Sequence, residues 1–61
     1  MDKEFKQLLS EIVKGRVEGD YWTEMTKSTN PELCYVFRAN GIEQRIALSK
    51  ILLYIYKQSK S

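Results

Sequence analysis

Apolar side chains recur in the N-terminal segment at Phe5, Leu8, Leu9, Ile12 and Val13, the i, i+3, i+4, i+7, i+8 spacing of a single helical stripe. Lys6, Gln7, Ser10, Glu11 and Lys14 fall on the other side. Asp2 is a candidate N-cap, and Glu4 suits the positive end of the helix dipole. The pattern predicts an amphipathic helix from residue 2 or 3 to between residues 14 and 17. Gly15 and Gly19 leave its end open, and Glu18 and Asp20 fall in the connector that follows. The period then shortens. Residues 21–27, Tyr-Trp-Thr-Glu-Met-Thr-Lys, are rich in aromatic and β-branched side chains and predict a strand. Ser28-Thr29-Asn30-Pro31 is a turn, because Pro31 fixes its own φ and pushes Asn30 out of the helical region.

Two strand-like runs follow, residues 33–39 and 42–48, separated only by Asn40-Gly41. Asn-Gly is the preferred pair for a type I′ turn, in which both central residues need positive φ. A two-residue loop also fixes the register. Ala39 faces Ile42, Phe37 faces Gln44, Tyr35 faces Ile46 and Leu33 faces Leu48 on one side of the hairpin. Arg38 with Glu43, Val36 with Arg45 and Cys34 with Ala47 make the other side. The first side is apolar, and the Arg38–Glu43 pair is matched in charge.

The last segment, residues 49–59, reads as a helix capped by Ser49, with Lys57 and Lys60 suited to the negative pole of its dipole. Residues 51–56 form an unbroken apolar run that fits a buried strand as well, since periodicity does not separate the two over so short a stretch. With the helical reading, the fold class is α+β: helix, three-stranded antiparallel sheet, helix, in one domain spanning residues 1–61.

Composition narrows the class. The chain has 61 residues, 43% hydrophobic and 30% charged, an ordinary globular balance rather than a disordered one. A chain this short buries a small share of its surface, and nothing staples it. One cysteine excludes an intramolecular disulfide, and without histidine there is no zinc-ligand spacing. No metal or cofactor is expected. The charged start MDKEFKQ has no apolar signal core behind it, and the apolar run is far too short for a bilayer span. A cytoplasmic protein that does not engage a membrane is the expectation.

The residues also bear on chemistry. Without histidine, Ser-His-Asp and Cys-His arrangements are impossible. Cys34 is expected to pack as a small hydrophobe, and Glu18 and Asp20 to be solvated charges. No small-molecule substrate is expected, and the chain reads as a binding protein, not an enzyme. Residues 1–24 carry four basic and six acidic side chains, residues 25–61 six basic and two acidic, so the C-terminal half is the basic one.

Two surfaces are candidates for binding. If Tyr21 and Met25 share the helix-packed face of the sheet, Trp22 stands on the opposite face with Val36, Arg38 and Arg45, the residue types enriched in interface hot spots. The alternative is that Trp22 wraps a sheet edge and completes the core. The last helix is apolar nearly all round. Leu48, Ile51, Leu52 and Ile55 supply its core face, which leaves Leu53, Tyr54 and Tyr56 for self-association as a homodimer or for a partner. Two functions follow. One is a protein-binding inhibitor or modulator of a larger macromolecule, of the compact kind suited to phages and mobile elements. The other is a small DNA- or RNA-binding regulator using Lys27, Arg38, Arg45 and Lys50.

The order helix, three antiparallel strands, helix is similar in outline to that of double-stranded-RNA-binding domains, which present a lysine cluster at the start of the second helix to clasp phosphates. The corresponding stretch here, Ser49-Lys50-Ile51-Leu52-Leu53, carries one lysine. The resemblance is therefore one of outline only and departs from the family's pattern at its functional cluster.

Overall fold

The computed structural model describes residues 2–60 and has the expected order: α1 (Asp2–Val13), β1 (Val17–Met25), β2 (Leu33–Ala39), β3 (Ile42–Ala47) and α2 (Leu48–Lys60). The sheet is antiparallel throughout, with β2 in the centre. Asp2 opens α1, but its side chain, the candidate cap, lies outside the described residues. No helix among the described residues is long and apolar enough to cross a membrane.

The end of α1 is set by Lys14, which adopts a left-handed φ of 54°. The Gly15 amide donates to the Ser10 carbonyl at 3.1 Å, the six-to-one bond of a Schellman motif. Val17 then starts β1 four residues earlier than the aromatic run suggested, so Glu18 and Asp20 lie in a strand and not in a connector. The register explains why. Glu18 pairs with Arg38 and Trp22 with Val36, so Gly19, Asp20 and Tyr21 oppose Phe37 alone. The bulge turns at Gly19, φ 69°. Its two extra residues preserve the alternation, and Val17 and Tyr21 both pack against the core.

The β2–β3 hairpin has the register expected from Asn40-Gly41, from Ala39–Ile42 through Cys34–Ala47. Asn40 and Gly41 adopt φ of 56° and 77°, both positive as a type I′ turn requires. Arg38 and Glu43 are register partners, yet their charges do not meet. Arg38 donates to the Gly41 carbonyl at 3.0 Å, and Glu43 takes Arg45 at 3.2 Å. Asn40 also ties the hairpin to the α1–β1 connector: its amide donates to the Arg16 carbonyl, and its Oδ1 accepts from the Arg16 amide, each at 3.4 Å. Gly15 lies so close that a Cβ there would fall 2.2 Å from the Asn40 Nδ2.

Both helices cover one face of the sheet. Leu9 of α1, Phe37 and Ala39 of β2 and Ile51 of α2 form the buried cluster, flanked by Leu8, Ile12, Val13 and Ile46. Phe5, Tyr21 and Tyr35 form an aromatic triad joining α1 to β1 and β2, with ring centroids 4.8–6.0 Å apart. Burial of Leu9, Phe37 and Ile51 contributes roughly 1.5–3 kcal/mol each, before conformational entropy is set against it.

α2 is a helix, as expected, but two details differ. It follows β3 without a loop, so Leu48 is already helical and Ser49 lies inside the first turn rather than at the cap. The Ser49 hydroxyl donates to the Glu32 carboxylate, which places a negative charge at the helix's positive pole. The buried side is also narrower than expected. Ile51 is fully buried with Leu48 and Tyr54 half-buried beside it, whereas Leu52 and Ile55, expected in the core, are 56% and 44% exposed. A small sheet supports α2 along one narrow row, Leu48–Ile51–Tyr54, and α1 fills the side to which Tyr54 turns.

Candidate functional site

The face of the sheet opposite the helices carries Trp22, Glu24, Cys34, Val36, Arg38, Glu43 and Arg45, as the register demands. Trp22 stands on this face and is 46% exposed, so it does not complete the core. Its indole Nε1 donates to Glu24 Oε2 at 2.8 Å. Arg45 reaches Glu24 at 3.5 Å and Glu43 at 3.2 Å. The Trp22 hydrogen bond, followed by the Arg45 charge, holds the Glu24 carboxyl below its ordinary value of 4.5 despite partial desolvation.

This ladder changes the reading of the face. Val36, expected to contact a partner, is fully buried between Trp22 and Arg45, its partners in register, and Cys34 is buried next to it. Neither reaches the surface. Arg45 is engaged by two carboxylates and Arg38 by the turn. Glu18, Glu24 and Glu43 on this side balance Arg38, Arg45 and Lys27, whose charge acts on Glu24, so the face carries no net basic excess. Lys27 follows β1 in the loop, and Lys50 stands on α2, across the molecule from Arg38 and Arg45. The four candidate phosphate contacts do not form one surface.

The exposed side of α2 is different in kind. Leu52, Leu53 and Tyr56 are each more than half exposed, with Ile55 beside them. Leu52, Ile55 and Tyr56 share the i, i+3, i+4 stripe, a grouping hidden when Leu52 and Ile55 are assigned to the core. Tyr54, expected on the same flank, turns the other way and is half-buried, its hydroxyl donating to Glu11 Oε1 of α1 at 3.3 Å. Desolvation, then the Glu11 charge and this bond, push the Tyr54 hydroxyl above the ordinary tyrosine value. α2 has no acidic residue and carries Lys50, Lys57 and Lys60. Lys60 lies over the Tyr56 ring, 5.4 Å from its centroid.

Where α1 meets α2, a shallow groove of about 260 Å³ is lined by Ile12, Lys50, Leu53, Tyr54 and Lys57. That volume is small for a cofactor or drug-sized molecule, whose pockets run to roughly 300–1,000 Å³, and suits one or two side chains. Glu18 and Asp20, expected as solvated charges, are exposed on β1, where Asp20 meets Lys6 at 3.7 Å. Cys34, the one thiol, faces Glu24 and Ala47 across the sheet. The chain matches no protein-family model, and neither a curated protein nor a solved structure matches it significantly.

Proposed function

We propose that this chain is a non-enzymatic binding protein that modulates a larger protein by occupying part of its surface, and that it presents α2 to that target. The observation that carries the reading is the burial of α2. Only Ile51 of this helix is fully buried, while Leu52, Leu53, Ile55 and Tyr56 are 44–56% exposed. Adjacent large apolar side chains on one helix are the usual material of a protein interface. Covering each contributes on the order of 1.5–3 kcal/mol by area, before the cost of association. An interface of standard size takes about 800 Å² from each partner. The exposed surface here is 4850 Å², so such an interface engages a modest fraction of it.

A protein target is favoured over a nucleic acid because leucine, isoleucine and tyrosine dominate the open helix, while carboxylates balance the cations on the open face of the sheet. Capture from a host lysate on the immobilised chain, compared with the Leu52→Ser/Tyr56→Ser variant, tests the reading. A protein retained by the parent and lost with the variant, while circular dichroism stays unchanged, is the expected result. Equal retention by both removes α2 as the site. Steeply salt-dependent retention of the parent on heparin, with no captured protein, transfers the function to nucleic acid. Self-association is the competing use of the same surface. Sedimentation showing a dimer that the double variant abolishes assigns α2 to a second copy.

A further inference from the structure

We propose that the groove between α1 and α2 receives an acidic segment of the protein partner, with an apolar side chain seated against Ile12, Leu53 and Tyr54 and carboxylates on Lys50 and Lys57. The inference rests on α2 being the binding surface and names the chemistry of what it binds. Three observations carry it. The floor is apolar and its volume, about 260 Å³, suits side chains. The rim holds two lysines, neither of which meets a carboxylate among the described residues. Lys60, the third cation of α2, is instead placed over Tyr56.

Spacing adds specificity. Lys50 and Lys57 are seven residues apart on one helix, which separates them by roughly 10 Å along the axis. Side chains of an extended chain share a face at every second residue, so the fitting segment places carboxylates four residues apart, roughly 13 Å and within reach of the flexible lysines, with its bulky apolar residue midway on the same face. Tyr54 lines the groove, and its hydroxyl donates to Glu11 of α1, which holds the ring in place as one side of it. A concave site with a fixed aromatic wall accepts a side chain, whereas a lipid surface lies flat across it. That shape favours a peptide over a membrane.

The probe is a short synthetic peptide with one leucine two residues from a glutamate on either side, titrated into the full isotopically labelled chain and followed by amide shifts. Its counterpart with lysine in place of glutamate serves as the control. The expected result is saturable shifts at Ile12, Lys50, Leu53, Tyr54 and Lys57, absent with the lysine peptide. Lys50→Glu/Lys57→Glu should weaken the glutamate peptide at least tenfold and admit the lysine one. Equal binding of both peptides, shifts centred on Trp22 and Glu24, or indifference to the charge reversal overturns the proposal. Adsorption to phosphatidylserine vesicles that depends on Lys50 and Lys57, with no peptide binding, assigns the groove to a membrane instead. A partner captured by the parent, lost with Leu52→Ser/Tyr56→Ser but kept by the charge-reversed variant, refutes the groove and leaves α2 as the binding surface.

Discussion

Replacing Gly15 with alanine should destabilise the protein, although an ordinary glycine in an accessible backbone conformation gains from that change. Gly15 is not among the positive-φ residues, so alanine fits its backbone. By restricting the unfolded chain, the substitution should stabilise by about 0.4–1 kcal/mol. Packing reverses the sign. The new Cβ would lie 2.2 Å from Asn40 Nδ2 and 2.8 Å from its Cγ, well inside van der Waals contact. Asn40 must swing away and give up the bond its Oδ1 accepts from the Arg16 amide. Losing that bond costs about 1 kcal/mol, and displacing the side chain from its contacts adds to it. The net expectation is a loss of about 0.5–1.5 kcal/mol. At roughly 4–8 °C per kcal/mol for a domain this small, thermal unfolding resolves the difference. The decisive comparison uses Asn40→Gly, which keeps a type I′ pair at the turn and removes the obstacle. In that background Gly15→Ala should be neutral or stabilising, giving a coupling energy of about 1–2 kcal/mol in the double-mutant cycle. Equal effects of Gly15→Ala in both backgrounds would refute the docking of the hairpin turn onto the connector.

Gly41→Val should cost about 1 kcal/mol or more, because a β-branched residue resists the φ of 77° found there; an unchanged melting temperature contradicts the type I′ turn. Ile51→Ala should lose about 2–5 kcal/mol and Leu52→Ala no more than about 0.5, measured by urea unfolding. Comparable losses at the two positions would mean that α2 sits differently on the sheet. The lowered carboxyl of Glu24 makes its contribution to stability one that is present above 4.5 and lost as pH falls through the lowered value. Glu24→Gln should therefore flatten part of the acid-side decline in melting temperature, and parallel curves for the two proteins would show that the Trp22–Glu24–Arg45 ladder contributes nothing.

The parts of the fold that local chemistry decides were legible in the sequence. Asn40-Gly41 specified both the turn and the register, and the stripe from Phe5 to Val13 specified α1 and its buried side. Features that depend on what lies opposite were not. The residues preceding Tyr21 read as a connector because a glycine and two acids hide a strand. Only the pairing with β2 reveals that Gly19 forms a bulge within it. Val36 occupies the expected face yet is buried, because side chains of the flanking strands close over the central one. The apolar run of α2 contains no polar residue to mark its outside. Its orientation follows instead from the width of the sheet and the position of α1, which together half-bury Tyr54 and expose Leu52 and Ile55. Of the residues expected for self-association, Leu53 and Tyr56 are exposed beside Leu52 and Ile55, whereas Tyr54 is half-buried against α1. The groove beside Lys50 and Lys57 had no signal in the chain, since Ile12 is distant in sequence.

Whether α2 is the surface this protein offers to its target can be read from amide hydrogen exchange of the chain alone and bound to the protein it captures. Added protection is expected along α2 and around Ile12 of α1, with β1 and β3 exchanging as before. Added protection centred on Trp22, Glu24 and Arg45, with α2 unchanged, would contradict it and place the interface on the open face of the sheet.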